Sequence, residues 1–469
     1  MSDVEKLFDI LRQHAAPEVV DAMVNEIASA PDYRLFRINP FAFAEHNKLD
    51  AERTISSFLH ASKIGLFDIA WNVLCPGCGG VLDTNASLKS IRKDEYVCSL
   101  CAEGYAPTLD EMVEVTFTVN ARVRRIAAHS PEQLPVLEYY RQLYWGSSVD
   151  LPEPGYEDLI DQFLIEHVEA AAGERAVLSV TLPSAFVIVF EPVTHAVQFI
   201  DVKGEPTRER QLLSIAYDRE HVHNETLEMR PGPLRLSVEN RTSDRVLPSI
   251  FIAGEALHGM LAKRRSFLSA KKLLTNQTFR NLFRTETLDV DQRLKITSLT
   301  FLFTDLRGST ELYERVGDLA AFDLVRSHFQ RLDEVVASEA GAVVKTIGDA
   351  VMATFPTPDR AMTAALKMRE EMRAMRTTPD GGEFLLKIGL HEGPCIAVMM
   401  NERQDYFGQT INIASRVQGL ANSQSIFVTD AIVSDAKTLE VLRQRSLQAQ
   451  PHDVLLKGIG RNVKVFEIP

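Results

Sequence analysis

Residues 298–310 read SLTFLFTDLRGST and residues 341–355 read GAVVKTIGDAVMATF. The first stretch is a strand ending in an acid, Asp305, followed by a Gly-containing turn and a helix opening at about Ser309. The second is two apolar strands about the turn Gly348-Asp349, a hairpin that offers a second acid. Two aspartates at the inner edge of one sheet repel and desolvate each other unless a cation sits between them. Hard carboxylate oxygens select Mg²⁺ or Mn²⁺ over Zn²⁺. Backbone N–H groups over residues 306–310, at a turn running into a helix, are placed to hold phosphate oxygens, which makes Ser309 and Thr310 candidate substrate contacts. A nucleoside triphosphate is the substrate class this pattern favours.

A third stretch, QDYFGQTINIASRVQGLA at 404–421, places Asp405, Asn412 and Arg416 on a loop and the helix after it. Asn412 and Arg416, four positions apart, share one helical face. With FTDLRGST, KTIGDAVMATF, DYFGQTINIASR and the closing LLKGIGRNVKVFEI, the sequence from about 296 to 469 resembles the catalytic domain of the class III nucleotidyl cyclases. The resemblance implies a ferredoxin-like, palm-type α/β domain. It implies that Asp305 and Asp349 bind two Mg²⁺ or Mn²⁺ ions, with the Leu306 carbonyl as a further ligand, and that one ion acidifies the ribose 3′-hydroxyl while the other holds the triphosphate. It implies that Asn412 orients the ribose, that Arg416 neutralises charge on the α-phosphoryl oxygens, and that Lys457 meets the terminal phosphates. The family reads the base with Lys345 and Asp405. Adenine offers an acceptor at N1 and a donor at N6, which this pair complements. Guanine reverses both, at a cost of roughly 1–3 kcal/mol per wrong pairing. The resemblance thus implies an adenylate cyclase making 3′,5′-cyclic AMP and pyrophosphate, built as a homodimer in which the aspartates of one copy serve a nucleotide held by the other. A GTP-preferring cyclase and a catalytically silent dimerising protein are the competing readings.

Outward from this domain the chain changes character. Cys75-Pro76-Gly77-Cys78 and Cys98-Ser99-Leu100-Cys101 frame 19 residues, the spacing of a zinc ribbon whose two knuckles present four thiolates to one tetrahedral ion. Four thiolates leave no open coordination position, so this zinc is structural. The fifth cysteine, Cys395, reads as a small half-buried thiol. Residues 1–74 carry helical periodicity and read as a helical, winged-helix-like module. Residues from about 35 to 110 also resemble, through NPFAFAE, GLFDIAWNVLCPGCGG and the second CxxC, a region that recurs ahead of bacterial cyclase domains. Residues 75–108 form the ribbon. From 109 to 255 alternating runs such as VEVTFTV, AFVIVFE and GPLRLSVEN read as a regulatory antiparallel β-sandwich. Residues 256–295 read as one basic amphipathic linker helix. Between 263 and 284 it carries seven Lys or Arg and no acid, a stripe that reads as a solvated linker face, a weak contact with an anionic membrane surface, or a dock for the acidic N-terminal region. The whole is an α+β multidomain chain.

Composition narrows the classes further. At 469 residues, with 45% hydrophobic and 25% charged side chains, the chain is globular and of several domains. Net charge is −13, and the first 110 residues hold 16 acids against 10 bases, which disfavours a nucleic-acid partner. No apolar run reaches the roughly 18–20 residues of a spanning helix, and the acidic, amphipathic start is unlike a signal peptide, so a cytoplasmic location is expected.

Overall fold

The computed structural model describes residues 3–218, 225–283, 293–307, 314, 317–374, 385–400, 403–422, 425–460 and 462–469. They fall into two compact units, one of residues 1–86, 93–107 and 111–268, the other of 87–92, 108–110 and 269–469. No helix among the described residues is long and apolar enough to cross a membrane.

The first unit opens with α1 (Asp3–Arg12), α2 (Pro17–Ser29), α3 (Pro40–Asn47) and α4 (Ala51–Lys63). Asn39 and Asp50 start α3 and α4 by accepting the Phe41 and Arg53 N–H groups, so each helix begins where a side-chain oxygen meets an orphan donor. Fully buried Phe58 on α4 packs edge-on against Phe43 and Phe67 and stacks on Phe117 at 4.9 Å. That cluster ties the helices to a sheet of order β2-β1-β5, in which β1 is Phe67–Leu74, β2 is Val81–Asn85 and β5 is Val113–Val119. Between β2 and β5 lies the small hairpin of β3 (Tyr96–Cys98) and β4 (Glu103–Tyr105). Alternation alone assigns VEVTFTV to the sandwich. It is instead β5, buried along its whole length and paired with β1.

Two short helices, α5 (Val136–Tyr139) and α6 (Tyr156–Ile160), precede the strands β6 (Leu164–His167), β7 (Arg175–Leu182), β8 (Phe186–Glu191), β9 (Ala196–Val202), β10 (Gln211–Tyr217), β11 (Leu227–Met229), β12 (Gly232–Asn240) and β13 (Ser249–Ile252). They form two sheets, β10-β12-β7 and β11-β9-β8-β13-β6, which bury Leu182, Val187, Ile200, Leu234 and Val238 in one core. The sandwich is mixed where an antiparallel one was expected, because β10 pairs parallel with β12 and β11 parallel with β9. The cause is connectivity. The chain leaves β10 to place β11 in the other sheet, so β12 returns alongside β10 by a crossover and not by a hairpin. The expected single linker helix is also broken, into α7 (Glu255–Ala262), α8 (Ala270–Leu274) and α9 (Gln277–Leu282). Side chains of Ser269 and Asn276 cap α8 and α9 and so interrupt what basic periodicity alone would have continued.

The second unit is built on β14 (Leu294–Arg307), α10 (Asp318–Ser338), β15 (Ala342–Ile347), β16 (Ala350–Phe355), α11 (Pro358–Ala374) and β17 (Leu385–Met400). Strand order β15-β16-β14-β17 makes this βαββαβ arrangement ferredoxin-like. The hairpin partner β18 (Arg403–Phe407) hangs on β17. Then come α12 (Gln409–Gln418), β19 (Ile426–Thr429), α13 (Asp430–Val433), α14 (Ala436–Gln444), β20 (Gln450–Leu455) and β21 (Asn462–Ile468), the strands extending the sheet as β17-β19-β21-β20. Leu332 and Val336 of α10 and Met362 and Ala365 of α11 pack on Leu302, Val351, Ile388 and Val428 of the sheet. At its far edge β20 contains Pro451 and is exposed from Gln450 to Asp453. Cys395 is 5% exposed, and burial pushes its thiol up to about 12, so it is an inert core side chain.

α12 lies on β17 so closely that a methyl at Gly389 would stand 2.2 Å from the Gln418 nitrogen. Gly389→Ala should therefore push α12 off the sheet. We expect a loss of about 1–3 kcal/mol in urea unfolding, with amide exchange accelerated along α12 first.

Candidate active site and cysteine cluster

Asp305 lies near the end of β14, and Asp349 sits in the β15–β16 turn beside Gly348, whose φ of 64° suits a residue without a Cβ. β14 and β16 pair antiparallel from Thr300↔Phe355 to Thr304↔Val351, and the Thr304 hydroxyl accepts the Val351 N–H at 3.2 Å. That register brings the two acids to the same end of neighbouring strands. Burial and then the charge of Asp349 raise the Asp305 carboxyl, while Lys387 across β17 and a hydrogen bond from Gln418 pull it back down. Asp349 Oδ2 is buried with no hydrogen-bond partner among the described residues. Two acceptor-only groups, one of them orphaned, form a donor set that fits a hard divalent cation. Leu306 follows with its side chain in the core, which leaves only its backbone available as a ligand.

One buried titratable side chain near the acids, His328, was not singled out from the sequence. It lies wholly inside on α10, its Nδ1 3.0 Å from Met372 Sδ and its Nε2 without a partner among the described residues. Burial pushes its pKa down to about 4 against the pull of Asp349. Its position on an apolar helical face gave no signal, because a lone histidine there reads as core.

Lys345 and Asp405 meet in an ion pair of 2.5 Å. Asp405 is buried in β18, where a loop was expected, and its Oδ1 also accepts the Tyr406 N–H. Lys345 stays 42% exposed, so one side of the pair is open to a ligand. Asn412 and Arg416 project from α12 as exposed side chains while Ile413 and Val417 bury the opposite face. Lys457 is exposed in the turn after β20. Ser309 and Thr310 lie outside the described residues.

The four cysteines of the first unit converge, with all sulfurs within 4.8 Å of one another. Cys75–Cys101 and Cys78–Cys98 are each 3.6 Å apart. Sulfurs about 2.3 Å from a tetrahedral ion stand about 3.8 Å apart, so the set fits zinc. The Cys78 and Gly80 N–H groups donate to Cys75 and Cys78 sulfurs, the pattern expected where thiolate charge is to be held. Contacts with Cys101, Cys75 and Cys98, and then burial, push the Cys78 thiol far up, while contacts with Cys101, Cys78 and Cys98 hold Cys75 far down. Four such groups cannot all be charged without a cation between them.

Comparison with known proteins finds two family models along the chain. Residues 292–467 match the model of the adenylate and guanylate cyclase catalytic domain. Residues 1–281 match a family of unknown function, DUF5939. The chain is 28% identical over 185 residues to an adenylate cyclase of Anabaena cylindrica, covering 36% of each. It is 29% identical over 246 residues to adenylate cyclase 2 of Rhizobium meliloti, covering 49% of this chain and 64% of that one. To the human guanylate cyclase soluble subunit beta-2 it is 26% identical over 183 residues, covering 36% and 28%. The chain thus spans between about a third and just under two thirds of the length of the first two of these relatives. The chain belongs to the DUF5939 family, and its residues 292–467 are a class III adenylate/guanylate cyclase catalytic domain.

Proposed function

We infer that the chain is an adenylate cyclase, converting ATP to 3′,5′-cyclic AMP and pyrophosphate. The observation that carries the choice of ATP is the Lys345–Asp405 pair, a donor beside an acceptor with its lysine open to solvent. Asp305 and Asp349 would hold Mg²⁺ or Mn²⁺, which when bound supplies charge to acidify the 3′-hydroxyl and to steady the triphosphate. Lys345 donates to adenine N1 and Asp405 accepts from N6. Asn412 fixes the ribose so that its oxygen lies in line with the α-phosphorus, and Arg416 meets the charge that grows there. Lys457, with Ser309 and Thr310, takes the outer phosphates.

Assembly as a two-fold homodimer is part of this reading. Ile347, Met400 and Phe407 are more than half exposed, on the same strands as Lys345 and Asp405 or in the hairpin that joins them to the sheet. Such apolar side chains beside a polar site suit a second copy. The Cys75, Cys78, Cys98 and Cys101 cluster binds a structural zinc, and the zinc ribbon with the winged-helix-like helices serves regulation. The protein works in the cytoplasm without a nucleic-acid partner.

Incubating the purified chain with ATP or GTP and Mn²⁺, then assaying cyclic product, tests the reading. Cyclic AMP is expected, and product from GTP alone would overturn the roles of Lys345 and Asp405. Asp305→Ala should be inactive and Arg416→Ala slower by roughly 10²–10⁴-fold, yet mixing the two should restore about a quarter of wild-type activity. Random exchange makes about half the dimers mixed, each with one intact site. No recovery after demonstrated exchange would mean that each site lies within one chain. Asp349→Asn should raise the melting temperature of the ion-free protein by roughly 1–3 °C, by relieving repulsion on Asp305, and abolish the rise that Mn²⁺ gives the wild type. Metal analysis should find about one zinc per chain, lost when Cys75 and Cys78 are both changed to serine, with proteolysis then opening the cysteine hairpins.

A further inference from the structure

β15 and β18 carry the two members of the base-reading pair, yet they are not neighbours. The order β15-β16-β14-β17 puts two strands between β15 and the strand that bears β18, so no ladder sets the spacing of Lys345 and Asp405. β15 is also bulged. Val343 pairs with Ala353 and Lys345 with Met352, leaving Val344 as the extra residue. A bulge takes backbone groups out of the ladder and re-aims the next side chain, here Lys345.

The backbone around the bulge is met from outside the sheet. Gln277 Oε1 accepts the Val343 N–H at 2.8 Å. Arg280 Nη2 donates to the Gln404 carbonyl at 3.0 Å and, more weakly, to the Val344 carbonyl at 3.4 Å. Val344 and Gln404 immediately precede Lys345 and Asp405. One guanidinium therefore spans the two backbones that present the pair. It is firmly placed, because Asn276 caps α9 through the Phe279 N–H and Phe279 is buried. Its Nη1 is buried with no hydrogen-bond partner among the described residues, so the placement carries a desolvation cost. Both residues fall within the DUF5939 match, ahead of the residues matched to the cyclase domain.

We propose that Arg280, assisted by Gln277, is a positioning residue for base recognition, fixing the separation and aim of Lys345 and Asp405 so that nucleotide affinity and choice are set from the segment ahead of the cyclase domain. This rests on the reading of Lys345 and Asp405 as the base-reading pair. Neither Arg280 nor Gln277 touches the nucleotide. Their effect falls on binding of the base and leaves the in-line chemistry at phosphorus to other groups.

The test uses the full chain with Arg280→Met, which keeps the apolar stem, Arg280→Lys, which can donate to one carbonyl, and Lys345→Ala in parallel. Values of kcat and KM are measured for ATP and for GTP with Mn²⁺. Arg280→Met should raise KM for ATP about tenfold and lower the ATP-to-GTP ratio of kcat/KM about tenfold, with kcat held within about twofold. Arg280→Lys should recover part of both. A fall in kcat with KM and the ratio unchanged, or no change at all, overturns the proposal, and if Arg280→Met fails to fold, Arg280→Lys is read against the same outcomes. If Lys345→Ala relaxes the ratio and the Arg280 variants do not, this proposal alone falls. If Lys345→Ala leaves the ratio untouched, the base-reading assignment falls and takes this proposal with it.

Discussion

The repulsion between Asp305 and Asp349 is the constraint around which the second unit is arranged. β14 and β16 are locked in antiparallel register through five consecutive pairs, and the two acids emerge together where that ladder ends. Burial adds to the strain, since Asp305 is raised by desolvation before the charge of Asp349 is counted. The surrounding core of α10, α11 and the sheet holds the two acids at the same end of neighbouring strands, an arrangement that a bound cation would relieve.

How much of this was legible in the sequence depended on whether the signal was local. Asp305, Gly348-Asp349 and the Asn412/Arg416 helical face each lie in a short stretch whose period and turn chemistry determine its geometry. The two CxxC knuckles are likewise self-contained, because a pair of thiols three residues apart needs only its own turn. The convergence of all four sulfurs was legible from spacing. Asp405 was harder. Its stretch has too little alternation to read as a strand, and it becomes one because the long β17 supplies a partner for it.

What escaped the sequence is what long-range pairing decides. VEVTFTV has the same pattern whether it joins the sandwich or β1, and in the fold it pairs with β1, where Phe117 stacks on Phe58. The parallel pairs of the sandwich follow from β11 crossing to the other sheet, which no periodicity encodes. The 263–284 stripe reads as one helix by charge, yet Ser269 and Asn276 divide it, and Arg280 turns inward to carbonyls that only the folded sheet brings within reach. A basic stripe and a buried clamp look identical until their acceptors are known.

The far end of the large sheet has a different consequence. β20 pairs only with β21 along its described length, and Pro451 has no N–H to offer along its open side. An exposed edge is a template on which unrelated chains can nucleate fibrils during synthesis or storage, and a proline there interrupts the template at little expense to the native ladder. The flanking His452 and Asp453, both exposed and polar, make the first part of this edge unattractive to an incoming apolar strand, whereas Leu455 at its end is exposed. Resistance of this edge to templated pairing is in this sense carried by three residues, Pro451, His452 and Asp453, that stand apart from the proposed site.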